Sequence, residues 1–397
     1  MREPFVPNLG WYGTTPGPVV LRVAAPGSAC RLGANPRVYH STGHAAAQRQ
    51  RDAVLGEARP CGYCATEPET AEEETMKAIV HYRYGSPETL KLEEVDKPAV
   101  DDDRVLVRVR AASVNALDWH FMRGLPYLVR PSLGLRKPKN RLMGVDVAGH
   151  VEAVGKNVTQ FHPGDEVFGA RDGAFAEYVA AKEDKLVLKP ANMTFEQAAA
   201  VPVAGCTALQ AVRDNGKIQP GQRVLINGAG GGVGTFAVQL AKAFGADVTA
   251  TTRARDMDMV RSIGSDRVID YTQEDFTKGG QRFDLILDLG GTRSLLACRR
   301  ALTPGGRYVM VGGRTGRWIR PMDRVLGGVV MSRFMHEKLL FFISKLVKDD
   351  LTLLKDLMEA GKVTPVIDRT YPLSETPEAI RYLEEGHARG KVVISVP

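Results

Sequence analysis

Residues 223–242 constrain the fold more than any other stretch of the chain. Val224-Leu225-Ile226 is a short apolar strand, and one residue later comes the run Gly228-Ala229-Gly230-Gly231-Gly232-Val233-Gly234. Thr235 to Lys242 then takes up helical spacing, and a second strand follows over 247–251. Strand, glycine-rich turn, helix N-terminus and second strand together form a dinucleotide-binding unit. The glycines let backbone approach a pyrophosphate, and the helix start offers free N–H groups and positive dipole character. Counting back from Gly234, the pattern is Ala229-x-Gly231-x-x-Gly234, with alanine in the first glycine slot. Ala229, Gly230, Gly231, Gly232, Val233 and Gly234 are therefore the candidate phosphate contacts.

The second strand ends Thr251-Thr252-Arg253-Ala254-Arg255. A site selective for NADH usually places Asp or Glu at this strand end to bind the ribose 2′-hydroxyl. Here hydroxyls and two arginines stand instead. Thr252, Arg253 and Arg255 suit a 2′-phosphate, so the expected cofactor is NADPH (NADP when oxidised). The alternative is that the arginines are solvated charges at a helix start.

Further strands are expected over 267–270, 285–288 and 307–311, alternating with helices. That order implies a doubly wound parallel sheet and an α/β fold. Gly312 and Gly313 follow the last of these strands and are expected near the nicotinamide. Before residue 190 the pattern is β-rich. Strands are expected over 105–111, 149–155 and 174–179, with Pro163-Gly164-Asp165 turning into another, which suggests a small barrel-like domain. Thr194 is a cap candidate for a helix over 194–200, and 205–215 continues helically. After 348 come further helices and a closing strand over 391–396.

With 397 residues, 44% of them apolar, the chain has room for two or three domains and a sizeable core. No run of about 18 apolar residues occurs, so no membrane span is expected. Residues 325–347 are broken by Arg333, His336, Glu337, Lys338 and Lys345, and are expected to form amphipathic helices. The formal charge of +7 is spread out, without a Lys/Arg run that would suggest a nucleic-acid partner. Five cysteines make no disulfide framework and fit a reducing, cytoplasmic setting. Cys206 and Cys298 sit in apolar contexts and are expected to be buried thiols.

Residues 1–75 follow another regime, with seven arginines, no lysine and no sustained periodicity. The simplest expectation is a disordered extension, or a start upstream of the true one, with folding from Met76. A transit peptide is an alternative, but the eight acidic residues of this segment argue against it. His40, His44, Cys61 and Cys64 match no standard zinc module. The expected organisation is this extension (1–75), a β-rich domain (76–200), a nucleotide-binding domain (201–342) and a return to the first domain (343–397).

Several stretches resemble the medium-chain dehydrogenase/reductase superfamily, in its zinc-independent quinone oxidoreductase-like branch. They are 76–80 with Tyr84-Gly85-Ser86-Pro87, Ala112 to Asp118, Gly144-Val145-Asp146-Val147-Ala148-Gly149, Pro163 to Val167, Pro202 to Ala208, Gly221 to Lys242, and Gly386 to Val393. The resemblance covers essentially all of 76–397. It implies a GroES-like catalytic domain, then a Rossmann domain, then a return to the first. Zinc-dependent relatives place catalytic ligands in the region of Ser113 to Asp118, after Gly144, and near Val203. This chain carries Val145 and Val203 at the last two, so no metal is expected.

The resemblance also assigns candidate roles. Asn115 matches an asparagine beside the nicotinamide, and its amide is expected to donate to a substrate carbonyl; the alternative is a buried structural Asn. Asp118 is grouped with the catalytic candidates, or else only fixes the loop. His120 stands where relatives often carry tyrosine and is a candidate proton donor, or else a loop histidine. Arg123 and Tyr127 are expected to line the substrate cleft. Tyr271 matches a position near the adenosine end of the cofactor. Without a Lewis acid, alcohol oxidation is hard, whereas hydride delivery to a quinone or an α,β-unsaturated carbonyl needs mainly positioning and charge stabilisation. The expected activity is NADPH-dependent reduction of a quinone, enone or alkenal. The alternatives are an NADP-dependent alcohol dehydrogenase and a non-catalytic NADPH-binding protein. Relatives are often homodimers, and the same is expected here.

Overall fold

The computed structural model describes residues 74–312 and 337–397. The chain enters a hairpin of β1 (Thr75–His81) and β2 (Leu90–Asp96). It then builds a sheet around β3 (Arg104–Val114), eleven residues long and buried along most of its length. β3 pairs antiparallel with β4 (Asp146–Val154), which pairs with β5 (Glu166–Ala170). β6 (Tyr178–Lys182) also lies on β3, and β7 (Leu186–Leu188) closes the sheet beyond β5.

The strand expected over 174–179 begins later, at Tyr178. Ala174, Phe175 and Ala176 are all buried, so the apparent alternation was not one of inside and outside. The backbone there serves two neighbours, since Ile79 N donates to Phe175 O and Phe175 N to Met143 O. Thr194 caps the short helix α3 (Phe195–Ala199), following α1 (Ala116–Arg123) and α2 (Arg130–Leu133). It accepts from Gln197 N while the Gln197 side chain accepts from Thr194 N. α4 (Pro202–Leu209) then widens into a π-helical stretch, Gln210–Asn215. Buried Gln210 there bonds Lys345 O and Asp350 Oδ2.

The second sheet is parallel throughout. β8 (Arg223–Asn227) leads through α5 (Gly232–Ala243) to β9 (Asp247–Thr252), then through α6 (Met257–Ser262) to β10 (Arg267–Asp270). β11 (Phe283–Asp288), α7 (Leu295–Arg300), β12 (Leu302–Met310) and β13 (Lys338–Phe341) extend it on the other side of β8. The order β10-β9-β8-β11-β12-β13 puts the switch of direction between β8 and β11. In such sheets ligands bind at that switch, beyond the strand C-termini.

Most of the segment expected to form amphipathic helices, 325–347, lies outside the described residues. Its described part includes β13, whose Lys-Leu-Leu-Phe pairs as a half-exposed edge strand with β12. α8 (Lys348–Glu359) and α9 (Thr376–Glu384) follow. The chain returns through β14 (Ile367–Pro372) and β15 (Lys391–Ser395). β14 carries no inside-outside alternation, which hides it in the sequence. β15 pairs antiparallel with β3, which places the chain's end in the first sheet. One apolar cluster runs through both sheets, from Ala148 and Phe168 to Ile226, Phe236 and Val393. Cys206 and Cys298 are buried. No helix among the described residues is long and apolar enough to cross a membrane.

Candidate functional site

At the switch point, the carboxamide of Asn227 ends β8. Its Nδ2 donates to buried Asp288 Oδ1 (2.7 Å), and its Oδ1 accepts from Thr251 Oγ1 (2.6 Å). Tyr308 bonds the other oxygen of Asp288. Three strand ends are thus locked in register beneath the glycine turn. Gly228 turns the chain with φ +98°, and Gly228 N and Ala229 N both donate to Thr251 O.

The glycines then differ in kind. A Cβ on Gly234 would stand 2.3 Å from Gly228 O, so this glycine lets α5 pack onto the turn. A Cβ on Gly231 would meet nothing nearer than 3.9 Å, so Gly231 faces open space. Ala229 is fully buried, which explains an alanine in the first slot. Gly230 packs on Thr252, whose Oγ1 would lie 2.6 Å from an added Cβ. Thr252 therefore sits beneath the turn. The first N–H groups of α5, from Gly232 to Gly234, lack partners within the helix and can hold an anion.

Beyond β9, Arg253 Nε donates to Tyr271 Oη (2.9 Å) and its Nη1 to Gly386 O (2.9 Å). Arg255 Nη2 donates to His387 O (2.8 Å). Neither arginine is merely solvated; both fasten the returning 386–390 segment over this end of the sheet. That segment adds Arg389, 3.2 Å from Asp256 Oδ1, a cation the sequence reading did not single out. Gly312 lies beside Leu289 O at the C-terminal end of the sheet. Gly313 lies outside the described residues.

The returning segment also touches the turn itself. Gly390 N donates to Gly230 O (2.9 Å), and the Lys391 stem passes Gly232. Lys391 is 2% exposed and Asp146 fully buried. The Lys391 ammonium donates to Asn115 Oδ1 (2.6 Å) and Val114 O (3.2 Å), with Asp146 Oδ2 at 3.5 Å. Asp146 also accepts from Ser113 Oγ (2.7 Å), Asn115 Nδ2 (2.9 Å) and Val203 N (3.0 Å). Burial pushes Lys391 down and Asp146 up, and their mutual attraction opposes both shifts. Both residues lie in motifs noted in the sequence. A lysine heading the apolar strand Lys391-Val392-Val393-Ile394 was the available signal of a buried cation.

This network corrects the role expected of Asn115. Both amide hydrogens are committed, one to Asp146 and one to Ser113 O (3.3 Å). A buried carboxylate is the stronger acceptor, so the Asn115 amide does not offer a hydrogen to a substrate carbonyl. Asp118 Oδ2 accepts from Asn115 N (2.7 Å) at the start of α1, while its Oδ1 is buried without a partner. Burial pushes this carboxyl up to about 7, with Asp146 adding to the effect and the Asn115 N–H opposing it.

A carboxyl raised in the folded state favours folding while protonated, and that advantage is lost as pH rises from about 4 through 7. Replacing Asp118 by asparagine is therefore expected to stabilise the protein relative to wild type increasingly from pH 4 to 7. The gain should be on the order of 4 kcal/mol, levelling above about pH 8. Urea unfolding across that range measures it; a pH-independent difference would contradict the assignment.

His120 is also corrected as a proton donor. Its Nδ1 lies 2.9 Å from Leu125 O, a pure acceptor, so the ring proton belongs on Nδ1. Burial lowers its pKa, which keeps the ring neutral and leaves Nε2 without a proton to give. Its ring stacks on Trp119 at 3.8 Å. Arg123 holds Glu384 through two nitrogens, tying α1 to α9, so its guanidinium is engaged in an ion pair. Tyr127 is exposed, with the Arg130 guanidinium 4.6 Å from its ring.

Among the described residues no three His, Cys, Asp or Glu side chains are grouped so as to hold a metal ion. Buried Cys206, three residues from Val203, has its thiol pushed up by burial.

Comparison with known proteins agrees with this architecture. Residues 101–191 match the alcohol dehydrogenase GroES-like domain, and residues 263–394 match a family described as zinc-binding dehydrogenase. The mitochondrial NAD(P)H oxidoreductase RTN4IP1 of Mus musculus is 34% identical over 364 residues, covering 82% of this chain and 91% of that protein. The 2-methylene-furan-3-one reductase of Solanum lycopersicum is 36% identical, covering 80% of this chain and 79% of its own length. The structure of the quinone oxidoreductase from Coxiella burnetii superposes with a TM-score of 0.72 at 30% identity, covering 82% of this chain and all of that one. The chain belongs to the medium-chain dehydrogenase/reductase superfamily, in its quinone oxidoreductase-like branch.

Proposed function

We propose that this protein is an NADPH-dependent oxidoreductase that reduces a quinone or an α,β-unsaturated carbonyl without a metal ion. The observation that carries the proposal is the junction of the glycine turn with the Lys391–Asn115–Asp146 network through Gly390. The open side of Gly231 and the start of α5 fit a pyrophosphate, so the residues present suit the cofactor. Arg253, Arg255 and Arg389 form a cationic end suited to the 2′-phosphate. When bound, NADPH supplies the hydride.

The chain's own residues hold the partners and exclude water. Lys391 and Asp146 keep Asn115 in one orientation, which fixes the loop at the start of α1. At two positions where zinc-dependent relatives carry metal ligands this chain carries Val145 and Val203. Reduction of an electron-poor acceptor needs no Lewis acid, which favours it over alcohol oxidation. Names of relatives point the same way: the tomato protein is called a reductase of an enone, and the Coxiella protein a quinone oxidoreductase.

The test is loss of NADPH absorbance with purified protein against quinones, 2-alkenals and simple ketones, with and without a chelator. Turnover of quinones or alkenals, insensitive to chelation, is expected. Activity lost on chelation, or confined to simple ketones, would overturn the proposal; no oxidation despite tight NADPH binding would favour a binding protein. Replacing Arg253 and Arg255 together by alanine is expected to raise the NADPH KM about tenfold or more while changing the NADH KM less than about threefold. Equal effects would remove the 2′-phosphate assignment.

A further inference from the structure

Segment 127–141, between α1 and β4, is built differently from the rest of the surface. From Trp119 to Val145 the chain carries six Lys or Arg and no Asp or Glu. Arg136, Lys137, Lys139 and Arg141 are all exposed, and none forms an ion pair with a carboxylate among the described residues. Two large apolar side chains stand out among them, Leu128 at 54% exposed and Leu135 at 70%.

The segment is also held in shape. The Arg130 guanidinium lies over the rings of Tyr84 and Tyr127, each at 4.6 Å, and its Nε donates to Gly124 O (3.0 Å). Tyr84 Oη donates to Gly134 O (2.7 Å), and Lys139 N to Leu133 O (2.8 Å). Gly134 has φ +122°, and an added Cβ would stand 2.1 Å from Lys137 O. The turn is therefore closed on itself, with Leu135 beyond its anchor and basic residues beside it. Arg141 lies over the Tyr82 ring, whose hydroxyl bonds Glu93.

We propose that segment 127–141 is a docking surface for an anionic lipid bilayer. Cations alone would suit any polyanion. A bilayer also takes up apolar side chains at the depth where its headgroups meet the acyl chains, with Lys and Arg at the headgroup level. Leu128 and Leu135 would gain nothing from a nucleic-acid phosphate backbone, which favours the lipid surface. The described residues offer no membrane-spanning helix, so the contact is peripheral. The inference stands apart from the proposed reaction, since it requires neither cofactor nor substrate.

The experiment is sedimentation of the full chain with vesicles of phosphatidylcholine alone or of phosphatidylcholine mixed with phosphatidylserine. Binding is expected to the anionic vesicles only, weakening as salt is raised. At roughly fivefold per basic residue near the surface, replacing Arg136, Lys137, Lys139 and Arg141 by serine should weaken it at least about 100-fold. Leu128→Ser with Leu135→Ser should weaken it about tenfold or more. NADPH binding by each variant checks that it is folded; should the fourfold variant fail that check, Lys137→Ser with Lys139→Ser is read instead, at about 20-fold. Equal binding to neutral vesicles, no binding to anionic ones, or unchanged binding by the serine variants overturns the proposal. So does tighter binding to a DNA oligonucleotide that is indifferent to the leucine substitutions.

Discussion

Replacing Lys391 by methionine is expected to destabilise the protein by about 3–5 kcal/mol. The methionine keeps most of the volume, so the loss is electrostatic. Asp146 would remain fully buried without its cation, and Asn115 Oδ1 would lose its 2.6 Å partner. Leaving a buried charge uncompensated costs far more than the pair contributes when intact. At about 1.5 °C per kcal/mol for a protein of this size, the midpoint of thermal unfolding should fall by roughly 5–8 °C. A second substitution separates this from simple loss of packing. Asp146→Asn in the methionine background removes the stranded charge but keeps an acceptor for Val203 N. The double variant should recover part of the loss, giving a coupling of about 1–3 kcal/mol between the two sites. Additive losses would mean that the pair does not act as a unit.

Alanine at Gly234 and alanine at Gly231 are expected to fail in opposite ways. At Gly234 the new methyl would stand 2.3 Å from Gly228 O and 2.7 Å from Ala229 Cα, both main-chain atoms that cannot move aside cheaply. The turn would have to open and α5 lift from it. A loss of several kcal/mol of stability is expected, on the order of the larger core disruptions. At Gly231 the backbone has φ −90° and the nearest atom is 3.9 Å away. Alanine fits there without strain, so stability should change by less than about 1 kcal/mol. Its methyl would occupy the open side of the turn, where the pyrophosphate approaches in the proposed site. NADPH affinity should fall at least about tenfold while the unfolding midpoint holds. Calorimetric binding and denaturation on the two variants measure this. An intact NADPH affinity in Gly231→Ala would place the phosphates elsewhere.

The parallel sheet was legible because its signals are local. Residues 267–270 were expected as a strand and occur as β10 with the same ends, and the expected Val224-Leu225-Ile226 lies inside β8. A buried parallel strand must be a short apolar run, and the turn after β8 must be small where backbone meets backbone. The cap at Thr194 was legible for the same reason, since its partner Gln197 is three residues away. Where alternation did not track inside and outside, as at Ala174 to Ala176 and in β14, the strand boundaries were not legible. The arginines after β9 were visible as charges, but their bonds to the carbonyls of Gly386 and His387 were not.

The sequence by itself determined the class of fold, the place of the glycine turn and the cationic end beyond the second strand. Each of these depends on the order of residues along a short stretch. Only the tertiary structure decided what Asn115, His120 and Arg123 do. Asn115 and His120 were expected as donors and Arg123 as a lining of the cleft, and each is bonded to Asp146, Leu125 O or Glu384. Lys391 is 276 residues from Asn115 in the chain, yet its ammonium is bonded to it. A polar group in a dry interior takes the strongest partner that folding brings within reach, and that choice is made in space.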